Sequence, residues 1–304
     1  MYRRILVPLD GSELAEVPLH YAMQLAVRSK AEVVLLHVCG PDECHCGPEG
    51  CHIQPMHRVY VEHTAEALRH RLQEAGHADA KVDAVTLAGD PGHEILQYLE
   101  ENDVSLVVMA THGRSGMKRW IMGSIATKVH RCSNTPIRLV RSLSSEETAI
   151  QDWPEKRILV LLDGSERAEQ VLPYVAEHAK MSDAEVTLLR VCEAPLISAN
   201  YPEAIMPLSW DEYVQRVTSR QRERCSAYFE DVGRRLESIG LNVNCECLFG
   251  SPAEAIISYV RDNRFNLVAM TSHVRPAGGH WPIGGVADKV IHGTSSPVLL
   301  VRPH

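Results

Sequence analysis

One short segment of the chain concentrates side chains that bind metal ions. From Cys39 to His57 the sequence reads CGPDECHCGPEGCHIQPMH, with thiols and imidazoles set among glycine and proline. Such ligands suit zinc, and four of them complete its tetrahedral shell. The spacing C-x-C-x4-C-H is not that of a standard finger, so the density of ligands carries the prediction, and a loop of reduced or redox-responsive thiols remains the alternative. The candidate ligands are Cys44, His45, Cys46, Cys51, His52 and His57.

A second segment has the composition of a phosphate site. Ala110–Ala126 reads ATHGRSGMKRWIMGSIA, and Gly113 within it allows the backbone to approach a ligand closely. Gly123 precedes a helix that we predict to start near Ser124, and the unpaired amides of a helix N-terminus attract phosphate. Arg114 adds a positive charge nearby. The pattern GxxxxGK[ST] is absent, so this is not a Walker A loop.

The chain is a duplication. DGSELAE at Asp10 returns as DGSERAE at Asp163, and AEVVLLHVC at Ala31 returns as AEVTLLRVC at Ala184. Self-similarity at this scale indicates two domains of one fold. We therefore predict a first domain at 1–142 with a Cys/His-rich insertion at 39–57, a polar linker at 143–155 and a second domain at 156–304.

Each copy alternates apolar runs with helical segments. Arg4–Leu9, Val33–Val38 and Leu106–Met109 are short, nearly unbroken apolar runs, as strands buried on both faces should be. Ser12 is a plausible N-cap for a helix to about Ser29, and Pro91 opens another. The alternation predicts an α/β fold: two tandem, open, doubly wound, mostly parallel five-stranded sheets of the Rossmann-like type. Ligands of such sheets bind beyond the carboxyl ends of the strands, where strand order reverses.

The composition argues against some classes of function. With 31 basic against 39 acidic residues the net charge is −8, and only 5% of residues are aromatic, so binding of nucleic acid through bulk charge or stacking is not expected. No signal-type segment and no run of about 18 apolar residues occurs, so we expect a cytoplasmic protein without membrane contact. The nine cysteines then read as reduced thiols or metal ligands.

The strand-one sequence VPLDGSE, the loop THGRSG followed by GS, and the ending PIRLVR resemble the universal stress protein family, across both halves. The family's ATP pattern G-x2-G-x9-G-[S/T] maps onto Ala110, Gly113, Gly123 and Ser124, with alanine in place of the first glycine. The resemblance implies that Asp10 lies near adenine, together with Pro8, Leu9 and Val38. It further implies a phosphate end made by Gly113, Gly123, Ser124 and Ile125 beside Arg114, and a floor made by Met109 and Ala110.

The second copy departs from this pattern. Thr271 and Val274 stand where the two glycines belong, and Gly285 replaces the serine. A β-branched residue such as Val274 disfavours a positive φ and fills space near a phosphate. We therefore expect the second copy to be a structural partner that does not bind ATP.

The resemblance implies a regulatory or sensor module of the stress response that binds ATP, with magnesium, and forms a homodimer. It also implies that the two domains pair through their last strands, Ile137–Val140 and Val298–Val301. No base, nucleophile and oxyanion-donor set is evident, so we expect no catalytic residues and slow hydrolysis at most. Two alternatives remain: a zinc-dependent sensor in which ATP is incidental, and a true ATPase or nucleotidyl transferase.

Overall fold

A computed structural model describes residues 2–40, 43–47, 50–111, 122–141, 156–193, 209–272 and 285–303. The side chains of 45–47, 50–52 and 210 are outside this description. The contacts divide the chain into two units, Met1–Trp153 with Ser272–His304, and Pro154–Thr271. The sequence repeat assigns Ser272–His304 to the second copy, whereas its contacts assign it to the first unit.

The strands are, in chain order, β1 (Arg4–Leu9), β2 (Glu32–Cys39), β3 (Cys44–Gly47), β4 (Gly50–Ile53), β5 (Val82–Ala88), β6 (Leu106–Ala110), β7 (Ile137–Val140), β8 (Arg157–Leu161), β9 (Glu185–Cys192), β10 (Asn242–Phe249), β11 (Leu267–Thr271) and β12 (Val298–Val301). The helices are α1 (Glu13–Ser29), α2 (Pro55–Glu74), α3 (Pro91–Glu101), α4 (Ser124–Cys132), α5 (Glu166–Glu169), α6 (Leu172–Ser182), α7 (Trp210–Glu237), α8 (Pro252–Asn263) and α9 (Gly285–Gly293).

In the first unit the sheet order is β12-β7-β6-β1-β2-β5. All neighbouring strands are parallel except β12, which pairs antiparallel with β7 so that Val298 lies opposite Leu139. This is the pairing expected of the two final strands, and it explains why the last segment belongs to this unit. From β1 the chain moves to β2 on one side and later to β6 on the other. Strand order therefore reverses beside β1, and the predicted doubly wound α/β class is confirmed.

Local signals set the helix bounds as the sequence predicts. Ser12 caps α1, and its Oγ accepts a hydrogen bond from the Ala15 amide at 3.3 Å; the helix ends where Lys30 turns left-handed at φ 57°. Asp90 caps α3 in the same way, accepting from the His93 amide at 2.8 Å. α1 packs on β1 and β6, and α2 packs on β2 and β5. The helices thus cover the buried strands that carry the site.

The second unit repeats this plan with the order β10-β9-β8-β11, all parallel. Ser165 caps α5 as Ser12 caps α1, accepting from the Ala168 amide at 3.1 Å. The glycine of each DGS turn has a positive φ, 81° at Gly11 and 90° at Gly164. Both copies therefore make the same turn after their first strand.

The Cys/His segment has more regular structure than its composition suggested. β3 and β4 form an antiparallel pair with Cys44 opposite Ile53 and Cys46 opposite Cys51. β3 ends at Gly47 and β4 begins at Gly50. The apolar residues at helical spacing begin at Val61, but α2 already begins at Pro55. Proline fits the first position of a helix, which explains this earlier start. No helix in the described ranges is long and apolar enough to span a bilayer.

Candidate functional site

A cavity of about 430 Å³ lies at the carboxyl ends of β1, β2 and β6, where strand order reverses. Its volume is within the range of small-molecule sites, roughly 300–1,000 Å³. Gly113 and Arg114 lie outside the described residues. The other residues predicted to bind nucleotide all line this cavity: Pro8, Leu9, Asp10, Val38, Met109, Ala110, Gly123, Ser124 and Ile125.

One end of the cavity has the properties of an anion site. α4 begins there, and Ser124, Ile125 and Ala126, whose amides precede the helical hydrogen-bond ladder, all line the cavity. The first turn carries no acidic residue to compete for these amides. The positive end of the helix dipole adds to the attraction for a negative group.

Gly123, the N-cap of α4, holds the helix start close to β6. Its amide donates to the carbonyl oxygen of Thr111 at 2.8 Å. A Cβ at Gly123 would lie 3.2 Å from that same oxygen, which is tighter than most real contacts. Glycine is therefore favoured here by the close approach of two backbone segments.

Asp10 is a second polar part of the cavity lining. Its Oδ1 accepts from the backbone amide of Ser12 at 3.0 Å and from the Ser12 hydroxyl at 2.6 Å. These two bonds fix the carboxylate at the end of β1, where it lines the cavity. Apolar side chains, Val38, Ile95 and Met109, line the wall as well. The site thus combines an acceptor, an apolar wall and a set of backbone donors.

An ion pair joins the two helices beside the cavity. Lys128 of α4 donates to Asp90 Oδ1 at 2.6 Å, and Asp90 is also the N-cap of α3. The ion pair with Lys128 and the hydrogen bond from the His93 amide lower the pKa of Asp90. Pro91 of the same helix lines the cavity. The exposed pair therefore links α3 to α4 near the start of α4.

His37, which was not among the predicted site residues, lies between the cavity and the Cys/His segment. It is 1% exposed and lines the cavity. Its Nδ1 is 2.9 Å from the carbonyl oxygen of Leu9, and its Nε2 is 3.0 Å from Nδ1 of His57. With the buried Cys39, these two histidines place three ligand atoms within 4.8 Å of one another. The available signal was the period-two spacing of His37 and Cys39, which puts both on one face of β2.

Of the predicted metal ligands, only His57 belongs to this three-residue cluster. Cys44 lies beside it, buried, with its Sγ 3.5 Å from the carbonyl oxygen of Cys39. The side chains of His45, Cys46, Cys51 and His52 lie outside the described part of the chain, so their role remains a prediction.

The second copy has Arg190 at the position of His37. An added Cβ at Gly164 would lie only 2.6 Å from the Arg190 guanidinium, so this side chain contacts the turn that follows β8. The guanidinium also lies over the ring of Tyr228, 5.9 Å from its centroid. A large cation therefore stands beside Asp163–Gly164, where the first copy has the compact His37.

Together these features define a doubly wound α/β protein with a ligand cavity at the switch point of its first sheet. A family model described as "Universal stress protein family" matches residues 1–141 and 155–302. The chain belongs to the universal stress protein family.

Individual relatives agree with this membership. Universal stress protein YxiE of Bacillus subtilis is 33% identical over 154 residues, covering 46% of this chain and 100% of the relative. Slr1230 of Synechocystis is 23% identical over 323 residues, covering 99% of this chain and 100% of the relative, so it shares the tandem length. A universal stress protein structure from Archaeoglobus fulgidus covers 99% of this chain and 96% of its own, with TM-score 0.65 and 20% identity, and supports the fold.

Proposed function

We propose that the first copy binds ATP and that the chain acts as a regulatory or sensor module of the stress response in the cytoplasm. One observation carries the proposal: nine residues expected at a nucleotide site, drawn from β1, β2, β6 and α4, line one cavity. These residues come from separate parts of the sequence. Their convergence on one cavity is expected if the strand ends and the helix start serve the same binding site.

The two polar ends fit opposite parts of a nucleotide. The amides at the start of α4 and the hydroxyl of Ser124 would hold phosphates, with magnesium as the counter-ion. The carboxylate of Asp10 would accept hydrogen bonds from the ribose or base, against the apolar Val38 and Met109. Polyphosphate at the α4 end and adenosine at the Asp10 end is the orientation that these charges favour.

Hydrolysis is expected to be slow. Among the described cavity residues, the carboxylate of Asp10 is engaged by Ser12, and that of Glu43 accepts from the Gly40 amide at 3.3 Å. A carboxylate so engaged is a weak candidate for a general base. Magnesium-dependent turnover well above background, lost on Asp10→Ala, would instead favour the ATPase alternative. We further propose that the chain forms homodimers, contacting neither nucleic acid nor membranes, and that its second copy is a structural partner.

A zinc-dependent sensor remains the second candidate. The Cys/His segment runs from the end of β2 to the start of α2, next to the nucleotide cavity. The cluster of His37, Cys39 and His57 favours a metal in this region, because three ligand atoms lie within 4.8 Å of one another.

Matched variants in the two copies test nucleotide binding. Asp10→Ala and Asp163→Ala each remove a carboxylate whose Oδ1 accepts from the serine amide two residues later, at 3.0 and 2.8 Å. Each variant thus removes the acceptor of the same backbone hydrogen bond in its own copy. Isothermal titration of the full chain with MgATP should give one site, weakened at least tenfold by Asp10→Ala and unchanged by Asp163→Ala. No binding at millimolar ATP, or equal loss in both variants, would contradict the proposal.

A further inference from the structure

We propose that His37, Cys39 and His57 form a zinc site at the end of β2. Their ligand atoms, two imidazole nitrogens and one sulfur, lie within 4.8 Å of one another. His37 is 1% exposed and Cys39 is fully buried, whereas His57 is partly exposed and leaves a path from solvent. Two imidazoles and a thiolate are ligands that zinc takes readily and that magnesium and calcium do not. The site does not depend on nucleotide binding.

The hydrogen bond of His37 to Leu9 orients the ring for a metal. A carbonyl oxygen only accepts, so Nδ1 of His37 carries the proton in the 2.9 Å contact with Leu9. Nε2 then holds the lone pair, and it is directed at Nδ1 of His57, 3.0 Å away. Donation from the far ring nitrogen to a backbone carbonyl is how proteins commonly fix the tautomer and direction of a metal-binding histidine.

The distances require only a small adjustment. Zinc bonds of about 2.0–2.1 Å to nitrogen and about 2.3 Å to sulfur imply ligand–ligand separations of roughly 3.4–3.6 Å in a tetrahedral shell. In the structure Nε2 of His37 and Nδ1 of His57 are 3.0 Å apart, and all three ligand atoms lie within 4.8 Å of one another. The separations that zinc requires lie between these two distances. Cys44 stands next to Cys39 and is a candidate for the fourth ligand, with water as the alternative.

The three ligands come from two elements with a hairpin between them. His37 and Cys39 belong to β2, and His57 lies in the first turn of α2. An ion bound to all three would tie the strand to the helix and close the chain over β3 and β4. Since His37 also lines the cavity, the ion would stiffen the wall of the nucleotide site from behind.

Metal titration of the full chain, without nucleotide, tests the site. After chelator treatment and dialysis, zinc should bind at one equivalent, and cobalt should give a tetrahedral spectrum with a thiolate-to-metal absorption. Cys39→Ser should remove that absorption if water is the fourth ligand and reduce it if Cys44 is, and Cys39→Ser and His57→Ala should each weaken zinc binding at least tenfold. His63→Ala, an exposed histidine of the same helix, is the matched control and should bind like wild type.

Thermal unfolding of the proteins after removal of the metal distinguishes loss of a metal-binding side chain from loss of the fold. Without metal, the variants should melt near the temperature of wild type. The proposal is overturned if wild type takes up no stoichiometric zinc, or if its cobalt spectrum lacks the thiolate band. It is equally overturned if Cys46→Ser with Cys51→Ser removes the metal while His57→Ala keeps it, because the ion would then belong to the hairpin alone.

Discussion

Placing an acid at the start of α4 should strengthen the free protein and weaken its ligand binding. Ser124 is the first residue of α4, is exposed, and lines the anion end of the cavity. A carboxylate in the first turn interacts favourably with the helix dipole by about 0.3–1 kcal/mol. Ser124→Asp should therefore raise the free energy of unfolding of the unliganded chain by that amount.

The same charge should repel a phosphate. Two like unit charges about 5 Å apart repel by roughly 3 kcal/mol at an effective dielectric constant of about 20. Because the residue is exposed, solvent and salt reduce this repulsion. If about half of the repulsion energy remains, the affinity for ATP falls roughly tenfold. Stability and affinity thus change in opposite directions, which general damage to the fold cannot produce.

Urea unfolding without ligand and calorimetric titration with MgATP measure the two effects. Ser124→Asn is the matched control, since it has the size of aspartate without the charge and should cost less affinity. The charge effect should also shrink as salt is raised. If Ser124→Asp binds ATP as tightly as Ser124→Asn at low salt, phosphates do not lie at the start of α4.

Three further predictions concern stability and coupling. Ser12→Ala removes the α1 cap and a hydrogen bond to Asp10, and should cost about 1 kcal/mol in urea unfolding; an unchanged midpoint would show that the cap is not needed. Burial lowers the pKa of His130, bonded to Ser272 at 3.0 Å, to about 4. Protons therefore favour the unfolded chain below its ordinary pKa of about 6.5, and stability present above that pH should fall by about 2 kcal/mol by pH 5. His130→Gln should flatten this dependence, and an equal slope in both proteins would assign it to other groups. Removing zinc with a chelator should lower ATP affinity through His37, and equal affinities before and after would separate the two sites.

Local chemistry explains why much of the fold and of the cavity lining could be predicted. Ser12 and Pro91 mark helix starts by their own residue types, and β1 and β6 have the apolar sequence of buried strands because both their faces are covered. Asp10 directly follows β1 and Ala110 is the last residue of β6, so the rule for parallel sheets places them at one edge. These signals need no knowledge of distant contacts.

The remaining features depend on contacts that sequence spacing does not encode. His37 reads as part of an apolar strand, and its role appears only when α2 brings His57 to its ring. The hairpin β3–β4 lies in a segment whose glycines and prolines suggested irregular structure. The assignment of Ser272–His304 to the first unit follows from pairing across the duplication, between β12 and β7. The histidine contact and the β12–β7 pairing join parts of the chain that are distant in sequence, whereas the strands of the hairpin are close neighbours.

The difference between the copies carries more weight for function than their similarity. Both keep the aspartate–glycine–serine turn, the serine cap and a glycine at positive φ, so these features maintain the fold in either copy. His37 and Arg190 occupy the same position on the second strand of their copies. The imidazole fits between the Leu9 carbonyl and His57, whereas the longer guanidinium reaches Gly164. A guanidinium is not a ligand for zinc, so the zinc site that we propose belongs to the first copy, beside the cavity to which we assign the nucleotide.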